Sequence, residues 1–229
     1  MNGAASRLAT DGFALVEGAV DAQTLATLRD TFADADIARA ERAGETFGAR
    51  NLLALDTVRD TAKALRAALH GITGHDLRAV RGLFFDKTPG ANWPVPWHQD
   101  LTIAAKERRD IPGWTNWTIK RGVHHVQAPA AILSRMITAR LHLDDCAADN
   151  GPLRVIPGSH ARGILPRPDV AAQSQAVAIH ARAGDVLLMK PLLLHASSPA
   201  RAPSHRRVLH LEFAPDAILP AGLDWAEIG

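Results

Sequence analysis

Three pairs of residues in the chain place a histidine two positions before an acidic residue. Side chains at i and i+2 of a β-strand point to the same face, so each pair would present an imidazole beside a carboxylate. These groups are two of the three ligands of the 2-His-1-carboxylate triad, which binds Fe(II) and leaves coordination positions open. With 11 histidines in the chain, about one such pair is expected by chance, so the spacing alone is weak evidence. The pairs are His98-x-Asp100, His142-x-Asp144 and His210-x-Glu212.

The residues around His98 distinguish the first pair from the other two. His98 follows the stretch PVPW, whose prolines lack the N–H that a central strand needs. His98 and Asp100 are therefore expected at a strand edge or at the mouth of a barrel. A long polar segment begins directly afterwards, and an open metal site is useful beneath such a segment. His142 and His210 lie within regular strand patterns, where a histidine is more often structural. We therefore take His98 and Asp100 as the candidate ligand pair.

A third ligand must come from another strand. His195 ends a strongly apolar segment, and the polar stretch after it leads to Arg206 and Arg207 on the next strand. A hairpin between His195 and Arg206 would bring a guanidinium into the same cavity as the imidazole. An iron oxygenase that uses 2-oxoglutarate needs such a cation, because arginine grips a carboxylate through two hydrogen bonds. The alternative for His195 is a structural histidine, and the alternative for Arg206 is a surface salt bridge.

Two helices are predicted, both in the first third of the chain. The stretch GFALVEGAV (12–20) predicts a strand, and Asp21 is then the expected cap of a helix over about residues 22–39. Apolar residues at helical spacing from Val58 to Leu69 predict the second helix, which Gly71 is expected to end.

Short β-strands dominate the sequence after residue 76. They are rich in Val, Ile, Leu and Phe and are bounded by Gly, Pro, Asp and Asn. Helices followed by a run of short strands favour an antiparallel sandwich or barrel with helices packed on one side, and argue against alternating βαβ units. The predicted strands are 77–87, 136–145, 152–157, 176–181, 185–190, 191–196 and 206–214, with a turn at 149–152.

Residues 103–129 show little periodicity and are predicted to form a loop. Loops this long in a compact domain are usually lids or binding segments, so 101–128 is interpreted as a lid over the cavity. Trp114 and Trp117 argue against disorder and are candidate substrate contacts. Residues 106–121 carry five basic and two acidic side chains. This excess favours an acidic substrate, although a charged run is often only a solvated face.

Composition argues against several classes of protein. The 229 residues carry 26 Lys and Arg against 24 Asp and Glu, scattered without the basic stripe that is typical of nucleic-acid binding. Cys146 is the only cysteine, so an internal disulfide and a multi-cysteine zinc site are excluded. No apolar run approaches about 18 residues, and no signal peptide is expected. We therefore expect a cytoplasmic monomer or homodimer that binds a small molecule, with neither a nucleic acid nor a membrane as partner.

Four motifs together resemble the phytanoyl-CoA dioxygenase family of Fe(II)- and 2-oxoglutarate-dependent oxygenases, a group that includes the bacterial ectoine hydroxylases. In chain order they are WHQD, DNGPLRVIPGSH, GDVLLMKPLLLHASSPA and RRVLHLEFA. Near the N-terminus, DGFALVEGAVDAQTLATLRD is similar to the first strand and helix of the family. The resemblance covers the chain from near residue 10 to near residue 215.

The resemblance implies a site and a fold. The implied metal ligands are His98, Asp100 and His195. Arg206, with the help of Ser197, would hold 2-oxoglutarate. The implied fold is mainly β with flanking helices: a double-stranded β-helix, or jelly roll, with the N-terminal helices packed on one sheet. A single domain over 1–229 is expected, with a strand and helices in 1–75 and the jelly-roll core in 76–215.

One position departs from the family pattern. Family members often carry a tryptophan on the strand before the NGPL turn, and this chain has Arg140 there. If its side chain faces the cavity, it is a candidate for pairing with an anionic substrate group; the alternative is a structural ion pair. The tryptophans that flank His98, Trp93 and Trp97, are expected to pack as wall.

The resemblance also implies a reaction. Fe(II), 2-oxoglutarate and O2 would together hydroxylate an unactivated C–H bond of a small molecule, for which an acidic group is one expectation, with release of succinate and CO2. A carboxylate at position 100 argues against halogenation, because related halogenases replace this ligand with a small residue. The alternatives are a metal-binding cupin-like protein or isomerase without oxygenase activity and, with less support, a nucleic-acid dealkylase.

Overall fold

The computed structural model describes residues 2–34, 39–42, 45–166, 174–202 and 204–229. Strands form most of its regular structure, and they are joined in antiparallel pairs. In chain order the strands are β1 (Phe13–Val16), β2 (Arg39–Arg42), β3 (Glu45–Arg50), β4 (Leu77–Lys87), β5 (Val95–His98), β6 (Thr102–Ala105), β7 (Thr115–Lys120), β8 (Val123–Gln127), β9 (Ile137–His142), β10 (Leu153–Val155), β11 (Val177–Ile179), β12 (Val186–Met189), β13 (His195–Ser197) and β14 (Arg206–Pro215).

The helices lie mainly in the N-terminal part of the chain. They are α1 (Asn2–Thr10), α2 (Ala22–Asp34), α3 (Asp56–Thr73) and the short α4 (Ala130–Leu133). The predicted cap of α2 is confirmed, because Asp21 accepts a hydrogen bond from the Thr24 amide at 2.8 Å. The predicted end of α3 at Gly71 is wrong. The helix continues to Thr73, and Gly74 ends it in the left-handed conformation with φ of 70°.

Seven strands form the main sheet, in the order β1-β12-β9-β14-β4-β3-β2. Its two faces have opposite character, as the two-residue period of a strand allows. On β14, Leu209, Leu211 and Phe213 belong to the main hydrophobic core together with apolar residues of α2 and α3. The alternate positions of the same strand carry polar side chains that are equally buried. The helices therefore cover the apolar face and leave the polar face toward the second sheet.

A second sheet of four strands, in the order β11-β10-β13-β5, faces the polar side of the main sheet. The two sheets together form the double-stranded β-helix that the sequence predicts, and the β5 and β13 strands carry the candidate metal ligands.

The segment that was expected to be a loop is a third sheet, with strand order β6-β8-β7. The loop prediction for 103–129 is therefore wrong. The two-residue turn between β7 and β8 has positive φ at both positions, 49° at Arg121 and 78° at Gly122. Hairpin turns of this kind usually carry Asn-Gly or Asp-Gly, so the Arg-Gly pair gives a weak sequence signal. Among the helices in the described parts of the chain, none has the length and apolar content needed to cross a membrane.

Candidate metal centre

Two neighbouring strands bring the first and third candidate ligands together. His98 is the last residue of β5 and His195 the first of β13, and the two are direct partners in the antiparallel register. Their ring centroids are 4.1 Å apart. Residues separated by almost a hundred positions in the chain therefore face the same point at the edge of the second sheet.

Both imidazoles are oriented by a carbonyl two residues earlier in the chain. The Nδ1 atom of His98 is 2.8 Å from the Pro96 oxygen, and that of His195 is 2.8 Å from the Leu193 oxygen. A carbonyl only accepts, so each ring carries its proton on Nδ1 and leaves the Nε2 lone pair available. Metal-binding histidines are held in this way, with the second nitrogen donating to a backbone oxygen.

Asp100 completes the group. Its carboxylate oxygens lie 3.8 Å from His98 Nε2 and 3.6 Å from His195 Nε2. One ligand atom from each of the three residues can be chosen so that all lie within 4.8 Å of one another. The Asp100 backbone amide donates to the Pro191 oxygen at 2.9 Å, which fixes this residue beside the start of β13.

Gln99, between the two ligands, is turned into the protein and anchors the segment. Its side-chain nitrogen donates to the Leu192 oxygen at 2.7 Å and the Gly163 oxygen at 2.8 Å, and its oxygen accepts from the Leu165 amide at 2.9 Å. Three backbone groups from distant parts of the chain thus hold the segment in place. This leaves His98 and Asp100 on the opposite side.

The electrostatics of the group suit a divalent cation. Burial alone would raise the pKa of Asp100, but nearby basic groups, His195 first among them, outweigh it and hold the pKa at about 2. Burial lowers the pKa of His195 to about 4. At neutral pH the group therefore offers an ionised carboxylate and a neutral buried imidazole, the protonation states that metal ligands require.

A separate structural observation supports the fit of these donor atoms to a metal ion. The Oδ2 atom of Asp100 is buried and has no hydrogen-bond partner among the described residues. A buried carboxylate oxygen without a partner is costly, and a bound cation removes that cost. His195 has 4% of its side chain exposed, against 37% for His98 and 27% for Asp100. A ligand therefore reaches the group from the His98 and Asp100 side.

The other two His-x-acid pairs have different roles. Asp144 forms two hydrogen bonds to the Arg207 guanidinium, at 2.8 and 2.7 Å, so it is not a partner of His142. His142 is buried, and neither of its ring nitrogens has a hydrogen-bond partner in the described part of the chain. Burial lowers its pKa to about 3. It is a neutral ring on the polar face of the main sheet.

The third pair belongs to a buried polar chain. Arg140 Nη1 lies 3.0 Å from His210 Nδ1, and Arg81 Nη1 lies 2.9 Å from a Glu212 oxygen. Arg81 Nη2 is 3.1 Å from His125 Nε2. Because a guanidinium only donates, both histidine nitrogens act as acceptors and both rings are neutral. Burial lowers the pKa of His210 to about 3 and that of His125 to about 4, in agreement with these roles.

Arg206 and Arg207 point to opposite faces of β14. Arg207 is tied to Asp144, whereas Arg206 is buried on the polar face and donates to the Gly151 oxygen in the turn before β10. The Nε atom of Arg206 has no hydrogen-bond partner in the parts of the chain described.

Gly151, whose oxygen accepts from Arg206, adopts φ of 61°. A Cβ at this position would lie 2.6 Å from the Ser198 oxygen, so glycine is required at this turn.

Sequence reasoning missed Lys87, which faces the same cavity. It is the register partner of Arg206 and is fully buried. Its ammonium donates to Ser197 Oγ at 3.1 Å and to the Ser198 oxygen at 2.8 Å. The signal was available, because Arg81 and Lys87 are six residues apart on one predicted strand and therefore share a face.

The four tryptophans that the sequence analysis considered have different surroundings. Trp114 is 8% exposed and belongs to a second hydrophobic cluster that includes Ile103 and Trp225. Trp117 packs against the same cluster. Trp114 is therefore a core residue of the small sheet, and Trp117 is partly buried beside it. Their expected substrate contacts stay predictions. Trp97 lies beside Arg154, and Trp93 lies 5.6 Å from the Lys87 ammonium as part of the cavity wall.

A double-stranded β-helix with two histidines and an aspartate at its mouth has the architecture of a non-haem iron oxygenase. The sequence comparison identifies the family. The chain belongs to the phytanoyl-CoA dioxygenase family, whose model matches residues 8–208. This confirms the resemblance drawn from the motifs and makes the protein a member of the 2-oxoglutarate-dependent oxygenase superfamily. No curated protein sequence matches the chain.

Solved structures with the same fold include enzymes with different activities. The ectoine hydroxylase EctD from S. alaskensis, with 2-oxoglutarate and 5-hydroxyectoine, has 20% identity and a TM-score of 0.70, covering 93% of this chain and 76% of its own. The epimerase SnoN from nogalamycin biosynthesis, in complex with Fe3+ and α-ketoglutarate, has 21% identity and a TM-score of 0.66, covering 96% and 86%. HygX from Streptomyces hygroscopicus, with nickel and 2-oxoglutarate, has 17% identity and a TM-score of 0.64, covering 95% and 87%. These likenesses confirm the predicted fold class.

Proposed function

We propose that the protein is an Fe(II)- and 2-oxoglutarate-dependent oxygenase that hydroxylates a C–H bond of a small molecule and releases succinate and CO2. The observation that carries the proposal is the convergence of His98, Asp100 and His195, with both imidazoles presenting Nε2 lone pairs beside an ionised carboxylate. Family membership supports the same reading.

In this proposal the three ligands hold Fe(II) on one side and leave its other positions open. When bound, Fe(II) with 2-oxoglutarate and O2 supplies an oxidant strong enough for an unactivated C–H bond. The Pro96 and Leu193 carbonyls keep the two rings oriented, and Gln99 holds the segment that carries Asp100.

Arg206 and Ser197 are the proposed site for the distal carboxylate of 2-oxoglutarate. Both side chains are buried and lie on the inner walls of the two facing sheets. The free Nε atom of Arg206 is a buried donor that a carboxylate would satisfy. A metal-binding protein without oxygenase activity has no need for a buried cation of this kind, so this feature favours the oxygenase over the cupin-like alternative.

Basic side chains around the cavity support a substrate with an acidic group. Arg140 lies buried on the inner face, with its Nε atom unbonded among the described residues, and burial lowers its pKa to about 10. Burial, and then repulsion from Arg81, lower the pKa of Arg50, although Glu212 acts in the opposite direction. Burial, followed by Arg50 and Arg81, lowers the pKa of Lys120. A carboxylate or phosphate on the substrate would relieve this repulsion. We propose Arg140 as the substrate contact nearest the metal ligands.

Epimerisation is a second candidate reaction, because the same chemistry allows it. Structures similar to this chain include the epimerase SnoN and the carbocyclase SnoK. Both hydroxylation and epimerisation begin with removal of a hydrogen atom, and they differ in whether oxygen enters the product. Turnover under 18O2 distinguishes them: a product heavier by one labelled oxygen supports hydroxylation, and an unlabelled product of unchanged mass supports epimerisation.

The metal and cosubstrate assignment is tested without knowledge of the substrate. Anaerobic addition of Fe(II) and 2-oxoglutarate to the purified protein is expected to give a weak visible charge-transfer band. Well-folded, iron-loaded protein that shows neither this band nor 2-oxoglutarate binding by calorimetry contradicts the proposed function. Small carboxylic acids, amino acids and phosphate esters are then screened for stimulation of succinate formation, which identifies the substrate class.

A further inference from the structure

A cavity of about 380 Å³ lies between α1, the end of α3 and the ends of strands β4, β9 and β14. Small-molecule sites usually have volumes of about 300 to 1,000 Å³, so this cavity is large enough for a ligand. The described residues that line it include none of the candidate metal ligands and none of the residues proposed to hold 2-oxoglutarate. It is therefore a separate candidate site.

Part of the cavity wall is apolar. Leu8 of α1, Leu77 at the start of β4 and Ile137 at the start of β9 are buried, and Ile72 near the end of α3 is half-buried. Ile72 also lines a narrower apolar groove between α3 and the strands β1 and β12. Apolar walls with a few polar groups are typical of ligand cavities, because the walls bury the ligand and the polar groups orient it. The apolar part of a ligand would lie along this wall.

Two cationic side chains lie on another side of the cavity. Lys190 follows β12 and is partly buried, and burial lowers the pKa of its ammonium without a described carboxylate to offset the effect. The ammonium donates to the Ser134 oxygen at 3.3 Å, which leaves two of its three N–H groups for other acceptors. Arg135, next to Ser134 in the chain, is exposed at the rim of the same cavity. This side can therefore donate to an anion.

The charges of the lining leave room for a single negative charge. Asp76 is the acidic residue among the described residues that line the cavity, and its carboxylate lies 3.2 Å from His70 Nδ1 with 77% of its side chain exposed. Lys190 and Arg135 together carry one more charge than this carboxylate neutralises. A bound monoanion would balance the lining and would give the partly buried ammonium a carboxylate partner.

We propose that this cavity binds a small monocarboxylate with an apolar body, at a site that is distinct from the metal centre. The carboxylate accepts from Lys190 and Arg135, and the apolar body packs against Leu8 and Ile72. This inference goes beyond the proposed function and does not depend on it, because the residues that carry it lie outside the proposed oxygenase site.

The test uses three compounds that separate the charge from the apolar body. The 15N-labelled protein is titrated with 3-phenylpropionate, with 3-phenyl-1-propanol, which lacks the charge, and with acetate, which lacks the apolar body. Calorimetry measures affinity, and amide chemical shifts locate the site. The acid is expected to bind at least about 10-fold more tightly than the alcohol or acetate. The shifts should cluster at α1, the end of α3 and residues 134–137.

Variants then test the two parts of the site. Lys190→Met keeps the length of the side chain and removes its charge, so it should weaken 3-phenylpropionate by about 10-fold and change the alcohol by less than about 2-fold. Ala9→Trp fills the cavity from an exposed position of α1 and should weaken both compounds. Lys63→Met is the matched control, because this exposed lysine of α3 pairs with Asp60 and does not line the cavity. It should change neither affinity.

Four results overturn the inference: equal affinities for the acid and the alcohol, a folded Lys190→Met protein that binds the acid as wild type does, shifts that cluster at the metal centre, or displacement of 3-phenylpropionate by 2-oxoglutarate. The shifts and the displacement are measured on wild-type protein, so they decide the question even if Lys190→Met does not fold. The proposed function has its own test, binding of Fe(II) and 2-oxoglutarate, and stands or fails separately.

Discussion

The inner face of β4 carries a buried basic residue at each of two positions, and the two residues have different partners. At one end of the cavity, Arg81 forms an ion pair with Glu212 at 2.9 Å and also bonds His125. At the other end, Lys87 lies beside Arg206 without a carboxylate from the described residues. Arg81 thus has a carboxylate partner within the protein, whereas burial, and then the nearby Arg206, lower the pKa of Lys87 to about 7. Both basic side chains are buried, and they differ in their register partner on β14, which is Glu212 for Arg81 and Arg206 for Lys87.

Removal of Asp100, one of the three candidate metal ligands, is expected to have the largest effect. Asp100→Ala leaves two imidazoles and no anionic ligand, so turnover should be lost and Fe(II) affinity should fall by at least about 100-fold, since changes to groups that merely support ligands already cost 10- to 100-fold. Metal content after dialysis and succinate formation measure both. Asp144→Ala, in the second His-x-acid pair, is the control and should keep its iron. An Asp100→Ala protein that hydroxylates at the wild-type rate would show the triad to be misassigned.

Substitution of two adjacent arginines tests the proposed cosubstrate site at the Lys87 end of β4. Arg206→Ala removes a buried guanidinium from the proposed cosubstrate site and should weaken 2-oxoglutarate by about 30- to 1000-fold. Arg207→Ala breaks the outward ion pair with Asp144 and should leave 2-oxoglutarate affinity within about 2-fold, with a stability loss of about 1 kcal/mol. Anaerobic titration and urea unfolding separate the two effects. Equal 2-oxoglutarate affinities in the two variants would contradict the inward assignment of Arg206.

Substitution of Arg81 should change the free energy of unfolding more than it changes ligand binding. Arg81→Met leaves Glu212 buried without its cation and is expected to lower the free energy of unfolding by about 3 to 5 kcal/mol. Arg81→Met with Glu212→Leu should recover most of this loss, because no unpaired charge remains. Binding of 2-oxoglutarate should stay within a few-fold in the folded variants. If Arg81→Met instead weakened 2-oxoglutarate as strongly as Arg206→Ala, the contrast between the two ends would be lost.

The smallest effect is expected at His142, on the Lys87 side of the cavity. Its ring is neutral, and its nitrogens lack hydrogen-bond partners in the described chain, so His142→Leu removes a desolvation cost and no known bond. The free energy of unfolding should change by less than about 1 kcal/mol, and 2-oxoglutarate affinity by less than about 10-fold. Urea unfolding and calorimetry check both values. A larger loss of affinity would add the His142 ring to the cosubstrate site.

Strand prediction succeeded where local patterns dominate. The predicted strand 77–87 has the bounds of β4, and 206–214 differs from β14 by one residue, because both are long apolar segments that contain Leu, Val and Phe. Prediction failed for α1, which was not anticipated, and for the small sheet, whose β7 strand is largely solvent-exposed and therefore lacks apolar alternation. The single-domain organisation, the lid role of 101–128, the cytoplasmic location and the oligomeric state stay predictions.

Prediction of the candidate site also succeeded for some residues and missed others. His98, Asp100 and His195 were named from the sequence, and the structure brings one ligand atom of each within 4.8 Å of the others. Lys87 and the Arg81–Glu212 pair were not named, because their partners lie more than a hundred residues away in the chain. The roles of Arg206 and Ser197, which the resemblance implies, and of Trp114 and Trp117, which belong to the expected lid, stay predictions.

By itself, the sequence determined the family, the alternation of polar and apolar residues along the strands, and the chemical types available for a metal site. Those properties depend on neighbours within a few positions of one another. Only the tertiary structure showed that the His98-x-Asp100 pair, which the sequence context had favoured, meets His195, and that Arg81 and not Lys87 receives a carboxylate. Both outcomes depend on strand register, and a shift of one residue would turn each of these side chains to the opposite face of its sheet.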